Sequence, residues 1–329
     1  MDNTIFAQSI ARIRSLETKM IDKAKIEAMV ESRDFNDCLR FLQDTQYGSY
    51  ITASNYEEGL KSATIDIYKE MYKICPLREV VDILALRYDS HNIKSLIKGK
   101  LAGIDTLYLT VDAGTIPVDR LNIMVKEENF RDMPKTLRYY VEKAFENYKN
   151  SQDPQDIDIT IDKGIYEYML EIAESSKMEY LLDIVKLMID TINIKSFIRI
   201  NIQERGRDFM QKVLLPKGNL DKDLFLNNIT DSLESFANKI MHTDYFKWVK
   251  EGLGEYIKKG DLGSIEKYGD NYIIDYLKKA KLVSFGPDPI IAYILARENE
   301  IRAIRIILTG KRNDVSPDII RERLRDVYV

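Results

Sequence analysis

Asn92-Ile93-Lys94-Ser95 recurs as Asn193-Ile194-Lys195-Ser196, and in weaker form as Glu300-Ile301-Arg302-Ala303. Around each copy, apolar residues recur at the same offsets. Self-similarity at a regular spacing is typical of a repeated structural unit. The matched apolar positions are Ile83, Leu86, Ile93 and Leu96, then Ile184, Leu187, Ile194 and Phe197, then Ile291, Ile294, Ile301 and Ile304. The sequence therefore predicts three copies of one unit, and this motif marks the tail of each.

A second landmark marks the head of each unit. Met29-Val30 is followed by Phe35, and Met124-Val125 is followed at the same spacing by Phe130. The head motif begins once more at Val315, where Ser316 is suited to an N-cap and Pro317 to a first helical position. Just upstream lie the matched pairs Ile21 and Ile26, Ile116 and Leu121, and Leu220 and Phe225. We predict repeat units at residues 1–113, 114–217 and 218–329, with one extra head helix.

The apolar spacing in the tails indicates helix. Residues 78–98, 180–199 and 289–308 all place apolar side chains three and four positions apart. Residues 106–111 and 157–161 alternate as strands do, but both segments are short and isolated, so we expect extended connectors there. The predicted fold class is all-α, with three homologous helical bundles.

Composition excludes several classes of protein. Apolar residues make up 45% of the chain and charged residues 31%, with 15 Gly and 8 Pro, as expected of a folded helical protein. Lys plus Arg total 49 against 53 Asp plus Glu, so nothing suggests a nucleic-acid partner. Cys38 and Cys75 fit neither a disulfide framework nor a zinc site. No apolar run is long enough to span a bilayer, so we expect no direct membrane insertion.

No catalytic apparatus is recognisable. Gly99-Lys100 and Gly310-Lys311 lack the earlier Gly and the following Ser or Thr of a phosphate-binding loop. His91 and His242 form no ligand pair, and His91 is expected on a helix surface. The stretch Asp153-Pro-Gln-Asp156-Ile-Asp158 is similar to the metal loops of helical prenyl-transfer enzymes, although a solvated acidic linker also explains it. The sequence predicts no catalytic residues, no cofactor and no metal site.

The cations Lys94, Lys195 and Arg302 share one repeat position. Units related by rotation would place the three charges around one axis, where they could bind an acidic partner. The alternative is that each side chain lies beside the apolar stripe with its charged end in water. Trp248 and its neighbour Tyr245 are expected to pack in the core or at an interface.

The tails carry a family resemblance over the whole chain. The stretch from Gly286 to Leu308 is similar to the C-terminal signature of the C subunits of V-type and A-type rotary ATPases, which are related to the d subunits of eukaryotic V-ATPases. That signature has Gly, Pro, an aromatic residue and a helix with Glu-x-x-x-(Ile/Leu)-Arg. Residues 88–94 match the corresponding pattern in the first unit. The middle unit departs most, with Asp190-Thr-Ile before Asn193.

The resemblance implies three helical units in a quasi-threefold, funnel-like arrangement. Its mouth would receive the central shaft subunits, and its other face would rest on cytoplasmic loops of the membrane proteolipid ring. The protein would be a non-catalytic central-stalk subunit, cytoplasmic and peripheral to the membrane, serving ATP-linked proton or sodium transport.

Two other functions remain open from the sequence. One is a different helical-repeat scaffold that binds protein segments, although units of this length are longer than the repeats of most solenoids. The other is a magnesium-dependent helical prenyl-transfer enzyme. That enzyme would need two acidic clusters facing one cavity.

Overall fold

A computed structural model describes residues 3–329, and the regular elements in that range are helices. No β-strand occurs among these residues, which confirms the predicted all-α class. Short 3-10 turns lie at Asn3–Phe6, Leu107–Leu109 and Lys279–Leu282. The α-helices are α1 (Ala7–Glu17), α2 (Lys23–Glu31), α3 (Phe35–Gln43), α4 (Tyr56–Ile74), α5 (Arg78–Ala102), α6 (Val118–Glu127), α7 (Lys135–Ser151), α8 (Pro154–Ser176), α9 (Glu179–Ile202), α10 (Gly206–Val213), α11 (Lys222–Leu226), α12 (Leu233–Lys239), α13 (Phe246–Lys259), α14 (Gly263–Lys278), α15 (Asp288–Arg312) and α16 (Pro317–Arg323).

The chain forms two compact units. One comprises residues 82–247, and the other joins residues 3–81 to residues 248–329. The first contains α7 packed along α8, with α9 against α8 and α10. In the second, α15 is the central helix and contacts α1, α2, α3, α4, α14 and α16. The threefold arrangement of repeat units at 1–113, 114–217 and 218–329 remains a prediction.

The three predicted tail helices are α5, α9 and α15. Each extends the predicted segment by a few residues at one or both ends. All twelve apolar side chains matched between the tails are buried. The period of three and four therefore identified the core-facing side of each helix correctly.

The heads correspond to α2, α6 and α11. The matched apolar residues Ile21, Ile116 and Leu220 each lie two positions before the helix begins. The extra head is α16, which begins at Pro317 as predicted. Ser316 occupies its N-cap position, but the Ser316 hydroxyl makes no capping hydrogen bond.

Neither predicted extended connector is found, because residues 106–111 contain the 3-10 turn Leu107–Leu109 and residues 157–161 are helical. Residues 157–161 lie inside α8, whose N-cap is Asp153 and whose first residue is Pro154. Ile157 and Ile161 are both buried. Because these two residues are four positions apart, they lie on one helix face, and over so short a window that spacing also fits a strand.

Trp248 and Tyr245 are buried, as the sequence predicts. The Trp248 ring stacks on Tyr272 with centroids 6.3 Å apart. None of the helices found between residues 3 and 329 combines the length and apolarity needed to cross a membrane.

Candidate partner-binding residues and head-tail junctions

Lys94 already has a partner within the chain. Its Nζ lies 2.7 Å from Asp162 Oδ1 on α8, and the Ser90 hydroxyl donates to the same oxygen at 2.8 Å. The Lys94 side chain is 24% exposed. An external acidic group would therefore have to compete with Asp162.

Arg302 is the most accessible of the three candidate cations. Its side chain is 52% exposed, and its Nη1 lies 3.1 Å from Asp270 of α14. Asp270 also accepts from Arg325 at 2.9 Å, so two guanidinium groups share one carboxylate. Lys195 lies on α9 and is half-buried. Lys94 and Lys195 belong to the unit of residues 82–247 and Arg302 to the other unit.

The acidic stretch at residues 153–158 begins a helix and is not a solvated linker. Asp153 accepts from the backbone N–H of Gln155, the buried Asp156 pairs with Lys212, and Asp158 pairs with Lys98 at 2.6 Å. The three carboxylates thus serve three separate partners. Within residues 3–329, no three His, Cys, Asp or Glu side chains are grouped so that they could hold a metal ion. His91 is exposed as predicted, with Nε2 2.9 Å from the Leu109 carbonyl.

The first tail, α5, meets the second head, α6, at a buried carboxylate. Asp89 of α5 accepts hydrogen bonds from the backbone N–H of Ile116 at 3.2 Å and of Thr115 at 2.8 Å. The Thr115 hydroxyl donates to the same side chain at 2.6 Å. Asp89 has no exposed surface, so these donors take the place of water around its carboxylate. We call such a contact between a tail carboxylate and the residue that precedes a head helix a head-tail junction.

The second tail, α9, meets the third head, α11, in the same way. Asp190 of α9 accepts from the backbone N–H of Leu220 at 3.2 Å and of Asn219 at 2.9 Å. The Tyr245 hydroxyl donates to it at 2.7 Å. Asp190 is also fully buried. Asp190 thus stands where Asp89 stands in the preceding junction.

The third tail meets the first head. Glu300 of α15 accepts from the backbone N–H of Ile21 and from the Tyr47 hydroxyl. Arg297, one turn earlier, places Nε 3.1 Å from Glu300 Oε2. Arg297 also donates to Gln46 and, at 2.8 Å, to the Tyr293 hydroxyl. Both members of this ion pair are buried, and their remaining donors and acceptors are well supplied, as a buried ion pair requires.

The tails of the first two repeats make a second matching contact. Asn92 donates to the Val111 carbonyl and accepts from the Val111 N–H, both at 2.8 Å. Asn193 makes the same pair of bonds with Leu215, at 3.0 and 2.9 Å. Each asparagine amide thus binds both the N–H and the carbonyl of a single residue. This pair of hydrogen bonds fixes the loop after the tail helix against that helix. The asparagine that defines the repeat is therefore structural.

Burial dominates the electrostatics of the three junctions. It raises the pKa of Asp89 to about 6, against the opposing effect of the hydrogen bonds from Thr115 and Ile116. Burial raises the pKa of Asp190 and of Glu300 as well. For Glu300 the positive charge of Arg297 opposes the shift. All three carboxylates accept hydrogen bonds from backbone N–H groups that precede a head helix, which is a structural role.

The junction carboxylates were not among the residues predicted from the sequence, although a signal was present. Asp89 and Asp190 each precede the repeat asparagine by three positions, so Asp-x-x-Asn occurs in both tails. The third tail has Arg297 and Glu300 at these two places. In the third tail the carboxylate stands at the second position and a cation at the first, so a comparison of residue types does not reveal the equivalence.

The sequence matches the family described as ATP synthase (C/AC39) subunit over residues 9–323. Three relatives resemble it over most of their length. The C subunit of the V-type sodium ATPase of Enterococcus hirae is 28% identical, with 96% of this chain and 97% of the relative aligned. The C subunit of the A-type ATP synthase of Methanocaldococcus jannaschii is 26% identical, over 98% and 87% of the two chains. Its counterpart in a Desulfurococcus strain is 27% identical, over 98% and 92%.

Proposed function

The chain belongs to the ATP synthase (C/AC39) subunit family, and from this premise we propose that it is a socket or spacer on the cytoplasmic side of a membrane. In this role it joins the rotating central shaft to the proteolipid ring during ATP-linked transport of protons or sodium ions. The family resemblance drawn from the sequence is confirmed. So is the prediction of a non-catalytic protein, since the family is a non-catalytic stalk subunit of the ATPase complex.

The observation that carries the proposal is the length of the family match, which leaves only a few residues outside it at each end. A match confined to one helix bundle would be compatible with a shared module in an unrelated assembly. A match over the whole chain supports the same position in the same complex. The shaft and the ring are the partners that this position implies.

The head-tail junctions suit a protein that transmits force. Three buried carboxylates, Asp89, Asp190 and Glu300, each bind the backbone at the start of a head helix. Well-packed protein interiors deform little, and buried polar contacts add a directional constraint. The matching junctions also support the quasi-threefold arrangement, because the first tail binds the second head, the second binds the third, and the third binds the first.

A reconstitution tests this role. Membranes that contain the ring and stator are combined with the catalytic head and shaft, with or without the chain. We expect ATP hydrolysis in both cases but coupled ion transport only with the chain, and restoration when the purified chain is added back. Full coupled transport in the absence of the chain would contradict the proposal.

We also propose that Lys94, Lys195 and Arg302 contribute electrostatic contacts to a partner. Arg302 is the first to test because its side chain is the most exposed. The control is Arg305 on the same helix, which is 44% exposed and pairs with Glu57 at 3.0 Å. We expect Arg302→Glu to weaken binding of the shaft or the ring severalfold at low salt and less at high salt, and Arg305→Glu to have little effect. Equal affinity of the two variants for both partners would remove Arg302 from the interface.

A further inference from the structure

The segment between α14 and α15 presents two apolar side chains to solvent. Leu282 is 89% exposed and Phe285 is 52% exposed. Exposed apolar side chains are common singly, but two of them on one short loop between helices form a local apolar tip. We call residues 279–286 the apolar tip loop.

The apolar tip loop is held in place by the protein. Arg14 donates from Nη2 to the carbonyls of Ala280 at 2.7 Å and Val283 at 3.0 Å. Gly286 ends the loop with φ 122°, a conformation that side-chain-bearing residues rarely adopt. The Leu282 side chain is therefore exposed on an anchored backbone.

Three lysines precede the exposed Leu282 in the chain. Lys279 and Lys281 within the loop are exposed, and their ammonium groups lie over the rings of Tyr276 and Tyr328, at 5.1 and 4.7 Å from the centroids. Lys278 precedes them and pairs with Asp275 at 2.9 Å. Among residues 3–329, no carboxylate lies within ion-pair distance of Lys279 or Lys281. Their charge is thus available to an external anion.

A basic cavity adjoins the loop. Its volume is about 630 Å³, and Lys278 and Lys281 form part of its wall. Arg321 and Arg325 are engaged by carboxylates, and Lys267 donates to the backbone carbonyls of Arg321 and Glu322 at 3.2 Å. The acidic side chains of the wall are Glu27 and Asp326. Its cations are Lys23, Lys267, Lys278, Lys281, Arg321 and Arg325.

We propose that the apolar tip loop and this cavity form a contact site for an anionic phospholipid surface, in which Leu282 and Phe285 enter the interfacial region and the lysines bind headgroup phosphates. An apolar tip beside cations is the combination that binds peripheral proteins to anionic membranes. An acidic protein partner fits less well, because two side chains bury far less area than a stable protein interface needs. The proposal does not depend on the socket role. The sequence-based expectation of no membrane insertion rests on the lack of an apolar run long enough to span a bilayer. Contact at the membrane surface needs no such run, so the proposal goes beyond that expectation.

Vesicle flotation of the purified full chain tests the site. We expect binding to vesicles of phosphatidylcholine and phosphatidylglycerol in equal amounts, and little binding to phosphatidylcholine alone. Because each lysine near an anionic surface contributes roughly fivefold in affinity, Lys279→Glu with Lys281→Glu should weaken binding at least about 20-fold. Leu282→Ser with Phe285→Ser should weaken it roughly tenfold or more.

Matched controls lie on α13 in the same unit. Ile257 is 79% exposed, and Lys258 and Lys259 are an adjacent lysine pair. Ile257→Ser, and separately Lys258→Glu with Lys259→Glu, should bind vesicles as the unaltered chain does. The urea midpoint of each variant shows that the fold is kept. The proposal is overturned if the chain binds neither vesicle, if control and loop variants lose binding equally, or if inorganic phosphate binds the cavity while anionic vesicles do not.

Discussion

Asp190 Oδ1 accepts a hydrogen bond from the backbone N–H of Leu220 at 3.2 Å, and the Asp190 side chain is completely buried. The residues just before a helix and in its first turn have N–H groups without partners inside the helix. In this protein a carboxylate from another helix supplies the acceptor. Asp89 does the same for Ile116, also at 3.2 Å. The stability of the chain should therefore depend on these acceptors.

Asp190→Ala should destabilise the chain by about 3 kcal/mol, because it leaves two backbone N–H groups and the Tyr245 hydroxyl without their acceptor. Tyr245→Phe removes one of these hydrogen bonds and should cost only about 1 kcal/mol. The measurement is urea unfolding followed by circular dichroism. A loss for Asp190→Ala no larger than that for Tyr245→Phe would contradict the role of Asp190 as the shared acceptor.

Lowering the pH should raise the free energy of unfolding of the unaltered chain relative to that of Asp89→Asn. The pKa of Asp89 is about 6 in the folded protein, above its usual value of 3.8, so between these two pH values the folded state binds more protons than the unfolded state. Stability from this group is therefore present at low pH and is lost as the pH rises toward 6. The variant has no titrating group at this position.

The free energy of unfolding of the two proteins is compared from pH 4 to pH 7. The advantage of the unaltered chain should grow as the pH falls, by at most about 3 kcal/mol. Asp119→Asn, an exposed carboxylate on α6, controls for the loss of one charge. A difference between Asp89→Asn and the unaltered chain that stays constant with pH would show that Asp89 does not titrate in this window.

Arg297→Met should cost about 3–5 kcal/mol, since it leaves Glu300 buried without its cation. Part of this loss should be recovered in the double variant with Glu300→Gln, which removes the unpaired charge. Arg302→Met breaks an exposed ion pair on the same helix and should cost about 1 kcal/mol or less. Thermal unfolding of the unaltered chain, Arg297→Met, Glu300→Gln and their double variant gives the coupling energy between Arg297 and Glu300. Additive losses from Arg297 and Glu300 would mean that the two side chains act independently.

Cys38 should be inert to alkylating reagents in the folded chain. It has no exposed surface, and burial raises the pKa of its thiol to about 11, so little thiolate is present at pH 8. Cys75 is half-buried and should react faster. Labelling by iodoacetamide, read by mass spectrometry of the peptides, distinguishes the two. Rapid labelling of Cys38 without denaturant would indicate that this part of the core opens frequently.

The apolar core of the tails could be predicted from the sequence because burial imposes a period on a helix. Ile93, Ile194 and Ile301 are buried for the same geometric reason, so the pattern recurs whatever polar residues lie between. The same rule fails at residues 157–161, because that segment is shorter than the window needed to separate a helical period from a strand period.

The polar partners could not be predicted in the same way. Lys94 pairs with Asp162 and Arg302 with Asp270, and neither pairing follows from a spacing along one helix. Such contacts depend on how helices pack, which the local sequence does not encode. The third junction is the clearest case, because Glu300 occupies the place of an asparagine and binds a head as the aspartates do, with Arg297 as its counter-ion.

Ile21 and Glu300 are 279 positions apart in the chain, which has a consequence for biosynthesis. Translation adds about 5–20 residues per second, so Glu300 is synthesised roughly 15–60 seconds after Ile21. During that time the N–H of Ile21 has no Glu300 carboxylate to bind. Helices α1 to α4 likewise have no α15 to pack against during that interval. Residues 82–247, in contrast, are synthesised as one continuous stretch. The continuous unit can thus complete its fold on the ribosome, and the discontinuous unit, begun first, is finished last.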